Sequence, residues 1–254
     1  MKFDIRHRSS LPTVQLLYRI MFPLLLILLL FFNSSCSTAA YSYQATTIPP
    51  LIDVPTWSLS TKTSSNNDDT DAVSTMNILT YASPVAIQPY RMWSISLYKG
   101  TLSHGNFVKE RRGILQLLRP KHALKVDDDI DGGKHGALIR VLGGSSGRDV
   151  DKETVCEELG FPWQTLECKG ESKVNDDNDV WPKVLPHCVY YLKLELVGEM
   201  IDCGSHDVAL CRVVDMVMTT DDENTNTNEL DYISTRKLRD MDVISELGRI
   251  KEIS

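Results

Sequence analysis

The chain has 254 residues, 42% of them hydrophobic, and a formal net charge of −7 at pH 7. This length suits one globular domain with extensions. The 27 basic residues form no continuous stripe and are outnumbered by 34 acidic ones, so the composition argues against nucleic acid as a partner.

The first forty residues have the organisation of a targeting signal. Basic residues precede an apolar run at positions 21–32, and small residues follow at positions 34–40. The run is shorter than the ~20 residues that a spanning helix needs. We therefore predict a signal over residues 1–40 that is cleaved, with no stable membrane span afterwards. An uncut signal anchor is the alternative.

Residues 41–75 are rich in serine, threonine and asparagine and are predicted as a transit-like or linker segment. Together with the signal they resemble the bipartite presequences of algae with complex plastids, which implies entry by the secretory route and a plastid destination. Secretion or the ER lumen is the competing destination. The five cysteines after the signal lack framework spacing, which favours a reducing compartment.

The remaining chain reads mainly as strands. Strands are predicted at residues 77–87, 92–98, 114–118, 189–197 and 208–214, and helices at residues 102–111, 151–159 and 234–247, with 138–142 of ambiguous type. In the clearest strand three leucines alternate with charged residues at positions 192–196. Several strands, few helices and no βαβ rhythm favour a closed or split barrel over a doubly wound sheet.

Two polar turns follow apolar strands. The first begins with Lys99, Gly100 and Thr101 and continues through Ser103 to Asn106. Lysine charge, glycine backbone and small polar groups suit an anion such as a phosphate. The second turn places His206 at the mouth of the strand that begins at residue 208.

These stretches, in this order, resemble the flavin-reductase-like family with its FMN-binding split-barrel fold. The shared elements are a threonine followed by Pro-Val at residues 80–85, K-G-T at 99–101, the apolar strand at 113–118, a G-x-H turn at 204–206 and G-R-I at 248–250. The resemblance places a flavin-reductase-like FMN-binding domain at residues 76–254. One departure is that the family's G-D-H turn is G-S-H here, with the acid at Asp207.

The resemblance implies a bound FMN, reduced by hydride from NAD(P)H, with the chemistry carried by the cofactors. No catalytic acid or base is therefore named, and NAD(P)H contact is assigned to His206. Ser94 and Ser96 share one strand face and can reach the ribityl chain. The ring is expected to be bordered by Tyr81, Ser83 and Pro84. The phosphate is expected at Lys99, Gly100, Thr101, Ser103 and Asn106.

Two function classes stay open at this point. One is an NAD(P)H-dependent flavin reductase, expected to be a homodimer as such barrels commonly are. The other is a non-catalytic split-barrel module that binds FMN or another planar ligand. No G-x-G-x-x-G fingerprint for a nicotinamide nucleotide follows a strand.

Two further motifs suggest other chemistries. Residues 143–147 fit G-x-S-x-G, the nucleophile elbow of α/β-hydrolases. Cys203, His206 and Cys211 could contribute to a metal site, but a second ligand pair with zinc spacing is missing. We interpret the first as a plain turn and the cysteines as small core residues.

Overall fold

The computed structural model describes residues 51–62, 74–124, 136–166, 181–219 and 231–251. The predicted signal and the first part of the predicted transit segment lie outside these residues. The described strands are β1 (Trp57–Lys62), β2 (Ser74–Leu79), β3 (Ala82–Ala86), β4 (Met92–Tyr98), β5 (Arg112–Leu117), β6 (Tyr190–Leu196), β7 (Ile201–Cys203) and β8 (His206–Met218). The helices are α1 (Leu102–Glu110), α2 (Ala137–Gly144), α3 (Lys152–Glu158) and α4 (Thr235–Asp240), with a 3₁₀ turn at Pro120–Ala123.

One antiparallel sheet joins all eight strands. The order is β2-β1-β5-β6-β8-β4-β3, and β7 pairs with β8 as a hairpin. The sheet curls into a half-barrel that is left open between its two end strands, β2 and β3. The prediction of a mainly β split barrel is confirmed.

Two apolar clusters lie on opposite faces of the sheet. Residues such as Leu59, Ile95 and Phe107 form the cluster inside the barrel. Ile114 and Tyr191 point the other way and join the cluster under α2, α3 and α4. Because side chains alternate along a strand, β5 and β6 contribute to both clusters, and this fixes their register.

The predicted linker over residues 41–75 is wrong for residues 74–75, which begin β2, and for residues 57–62. Residues 57–62 form β1, an inner strand that pairs with both β2 and β5. Trp57 and Leu59 are buried there, and so are Ser58 and Ser60. The hydroxyl of Ser60 donates to the carbonyl oxygen of Lys183. This bond satisfies the buried hydroxyl of Ser60, whereas the hydroxyl of Ser58 has no hydrogen-bond partner among the described residues.

The terminal helix is shorter than predicted. It begins at Thr235, where the Ser234 side chain accepts from the Lys237 N–H, and it ends at Asp240. Asp242 adopts a left-handed φ of 59°, which breaks the helix. The apolar residue Leu247, expected on its buried face, is 75% exposed. No helix among the described residues is long and apolar enough to cross a membrane.

Candidate functional site

The outer face of β4 brings together several residues singled out from the sequence. Ile95 and Leu97 are buried in the barrel, so Ser94, Ser96 and Tyr98 lie on the opposite, partly exposed face. Tyr98 is paired with His206 of β8, and their ring centroids are 5.4 Å apart. The two predicted ribityl contacts and the predicted nicotinamide contact therefore line one continuous face.

The residues predicted to border the flavin ring lie beside this face, on β3 and just before it. Ser83 is paired with Ser94, and the Ser94 hydroxyl donates to the Ser83 carbonyl oxygen at 3.4 Å. The Ser96 N–H donates to the carbonyl oxygen of Tyr81 at 3.0 Å. Tyr81 is 69% exposed, and Ser83 and Pro84 are exposed too. The β3–β4 edge thus offers aromatic and small polar groups next to the serine-lined strand.

The turn after β4 leads directly into the start of α1. Thr101 is the N-cap residue: its hydroxyl accepts from the His104 N–H at 3.2 Å and donates to the Tyr98 carbonyl oxygen at 2.9 Å. Ser103 and Asn106 are on the buried side of the helix. The Asn106 Nδ2 has no hydrogen-bond partner among the described residues. Since the first N–H groups of a helix lack intrahelical partners, this turn can receive an anion.

Lys99 is not free to hold such an anion. Its ammonium lies 2.9 Å from a carboxylate oxygen of Asp202 and 3.3 Å from one of Asp207. Asp207 is also 2.8 Å from Nε2 of His104. The hydrogen bond that Lys99 donates to Asp202 raises the pKa of Lys99, and the hydrogen bond with His104 lowers the pKa of Asp207. Two carboxylates therefore balance the lysine, which joins the β7–β8 hairpin tip to the β4–α1 turn.

A cation that the sequence analysis did not single out reaches the same turn. Arg148 Nη1 donates to the carbonyl oxygen of Gly100 at 3.0 Å. No carboxylate pairs with this arginine in the described part of the chain. Gly147 allows the approach, because a Cβ there would lie 2.4 Å from Oγ1 of Thr75. Only the arrangement of α2, α3 and β2 around this connection could have identified Arg148.

Comparison by sequence finds no matching family model and no matching curated protein. Comparison by structure finds flavoredoxin from Methanosarcina acetivorans at a TM-score of 0.52 and 13% identity, over 77% of this chain and 86% of that one. An FMN-binding protein from Thermus thermophilus gives a TM-score of 0.48 and 18% identity, over 70% and 81% of the chains. The chain has the FMN-binding split-barrel fold. The fold expected from the family resemblance is thus confirmed.

Within this split barrel, the G-x-S-x-G motif is not a nucleophile elbow. An elbow places its serine between a strand and a helix. Ser145 instead follows helix α2, which ends at Gly144. The connection from Ser145 to Asp151 is a turn that leads into α3, as interpreted from the sequence.

The split barrel also separates the three residues of the imagined metal site. His206 and Cys211 are five residues apart on β8 and so lie on opposite faces. Cys211 is buried, and burial raises the pKa of its thiol to about 12. Cys203 is exposed on β7. Within the described ranges, no three side chains form a metal-binding group.

Proposed function

We propose that this split barrel binds FMN and transfers hydride from NAD(P)H to it. The observation that carries the proposal is the continuous polar face of β4, which runs from Ser94 past Tyr98 to the anion-accepting start of α1. A flavin nucleotide needs a polar track for its ribityl chain, an anion site for its phosphate and an apolar border for its ring. Here the ring border, the ribityl track and the phosphate turn follow one another in that order along the chain.

At the phosphate end, the geometry supports a division of roles that differs from the sequence prediction. Arg148 and the first N–H groups of α1 supply the positive potential. Lys99 acts indirectly, because its ion pairs with Asp202 and Asp207 hold the turn in place. Thr101 shapes the turn by capping the helix.

The flavin supplies the redox chemistry when bound, and the protein supplies position. His206 lies opposite Tyr98, at the phosphate end of the polar face, and its Nδ1 lies 3.0 Å from the hydroxyl of Ser205. A partly exposed imidazole there is available to a nicotinamide nucleotide. We therefore retain His206 as the contact for the hydride donor.

A spectrum of the full-length protein tests the function directly. FMN should bind and give the protein a flavin absorbance band, and NADPH should bleach that band without oxygen. A bound flavin whose absorbance persists with NADPH and with NADH would favour the non-catalytic binding module. Absence of FMN binding would contradict both functions.

Replacing Arg148 should separate FMN from riboflavin. Loss of a charge-assisted contact costs on the order of 1.5–3 kcal/mol, so Arg148→Gln should weaken FMN about tenfold to a hundredfold. Riboflavin has no phosphate and should lose little affinity. Fluorescence titration measures both. Arg91→Gln, which changes an arginine bonded to Met216 Sδ, is the control, and equal losses for the two ligands in Arg148→Gln would place the phosphate elsewhere.

Replacing His206 should slow reduction without releasing FMN. If His206 contacts the hydride donor, His206→Ala lowers the rate constant or the donor's apparent affinity and leaves the melting temperature nearly unchanged. Stopped-flow reduction at saturating FMN, with a melting curve, gives both quantities. A less stable variant that keeps its rate per bound flavin would instead make His206 a turn residue.

We also propose that two copies of the chain pair over the β3 edge. Val85 is 56% exposed and Ile87 is 77% exposed, beside Tyr81 and next to the proposed ring site. Apolar groups so exposed at a sheet edge favour association. Sedimentation velocity should show a dimer, and Ile87→Glu should shift it towards monomer. A monomeric parent protein would contradict the pairing.

A further inference from the structure

A separate cavity of about 540 Å³ lies beside helix α4. None of its lining residues belongs to the proposed flavin site. They are Leu51, Asp53, Arg236, Arg239, Asp240, Ile244, Glu246 and Lys251. The volume falls in the range typical of small-molecule sites, and charged groups of both signs line it.

One of the cations that line this cavity, Arg239, has a buried nitrogen without a hydrogen-bond partner among the described residues. Arg236 pairs with Asp53, with Nε 3.6 Å from Oδ2, and Lys251 pairs with Asp242. By contrast, Nε of Arg239 is buried and has no hydrogen-bond partner within the described ranges. Arg239 also forms no ion pair with a carboxylate of the described residues, so its guanidinium is available to an acceptor bound in the cavity.

The acids of the cavity define the rest of the ligand. Asp240 and Glu246 are exposed, and neither forms an ion pair with a cation of the described residues. Two carboxylates disfavour a dianion such as phosphate and favour a cation. Leu51, 60% exposed, adds apolar surface.

We propose that this cavity binds a small amino-acid-like zwitterion. The ligand carboxylate accepts from the guanidinium of Arg239, and its ammonium group lies near Asp240 and Glu246. Its aliphatic part contacts Leu51. The site goes beyond the flavin function, and its lining residues are distinct from those of the flavin face.

Calorimetric titration of the full-length protein with three related probes tests this assignment. L-leucine carries both charges, leucinamide lacks the carboxylate and 4-methylpentanoate lacks the ammonium group. Leucine should bind with a dissociation constant on the order of 1 mM. Each of the other two should bind about tenfold to a hundredfold more weakly, since each loses one charge-assisted contact. The titration is repeated with saturating FMN and should be unchanged.

Variants assign the two ends of the ligand. Arg239→Gln should abolish the preference for leucine over leucinamide, and Asp240→Asn with Glu246→Gln should abolish the preference over 4-methylpentanoate. Arg91→Gln is the matched control and should bind leucine like the parent protein. A melting curve of each unliganded variant separates lost binding from lost folding. Absence of leucine binding, or equal binding of all three probes, would overturn the proposal whether or not FMN binds.

Discussion

The free energy of unfolding should rise by about 3 kcal/mol between pH 8 and pH 10.5 through Lys152 alone. This lysine is 4% exposed, and burial lowers its pKa from 10.5 to about 8. Between these values the unfolded chain holds a proton that the folded chain has lost. The free energy of unfolding therefore increases with pH across this window. Below pH 8 the folded chain contains a buried charged lysine, which lowers the free energy of unfolding.

Other groups titrate over the same pH range, so the effect of Lys152 is measured as the difference between the parent protein and a variant without this lysine. Burial raises the pKa of the Cys156 thiol to about 11, which lowers stability as the pH increases. Urea unfolding of the parent protein and of Lys152→Met at several pH values isolates the lysine. Lys237→Met, at an exposed position of α4, is the control. Equal pH slopes for the parent and Lys152→Met would show that Lys152 is not protonated differently on folding.

The same lysine has a consequence for the flavin site. Its ammonium donates to the carbonyl oxygen of Met76 on β2 at 2.9 Å and to that of Leu142 in α2 at 2.6 Å. These bonds join the start of α3 to β2 and to α2, the helix that precedes the connection with Arg148. In the FMN titrations, Lys152→Met should therefore weaken the binding of FMN more than the binding of riboflavin. The loss of FMN affinity should be smaller than in Arg148→Gln.

Acid should destabilise the protein by about 3 kcal/mol between pH 6.5 and pH 4 through His122. The imidazole is 1% exposed, and burial lowers its pKa from 6.5 to about 4. Its Nδ1 accepts from the Arg119 N–H at 3.0 Å, and its Nε2 donates to the Pro186 carbonyl oxygen at 3.0 Å. The folded state thus requires the neutral ring, while the unfolded chain takes up a proton as the pH falls through 6.5.

His122→Gln should flatten this part of the stability profile, because glutamine does not titrate. Denaturant unfolding at pH 7, 5.5 and 4.5 measures the slope. His187→Asn offers a matched control at an exposed position, where the left-handed φ of 62° suits asparagine. If the slope survives in His122→Gln and disappears in His187→Asn, then His187, and not His122, causes the acid sensitivity.

Residue patterns were sufficient to predict most of the sheet. β4, β6 and β8 show the alternation of apolar and polar residues that predicts a strand, although β6 is buried on both faces. The helix predicted at residues 151–159 also forms, as α3, and the carboxylate of its N-cap residue Asp151 accepts from the N–H groups of Glu153 and Thr154. These features can be predicted from the sequence because they depend on residues that are close together in the chain.

The two-residue period of a strand was sufficient to predict that Ser94 and Ser96 share one face of β4, and Tyr98 lies on the same side. The position of His206 opposite Tyr98 was not predicted, because it depends on the register of β4 and β8. The ligands themselves remain predictions.

Only the tertiary structure shows which charged groups meet at the proposed phosphate turn. Lys99 was assigned to the phosphate as a free cation, yet Asp202 and Asp207, over a hundred residues later, balance it. Arg148 reaches Gly100 from a connection that is 48 residues away in the chain. β1 was missed because serine and threonine are common in linkers, whereas its burial depends on β2 and β5. A sequence shows which charges and hydroxyls exist, but chain folding over long separations decides which of them meet.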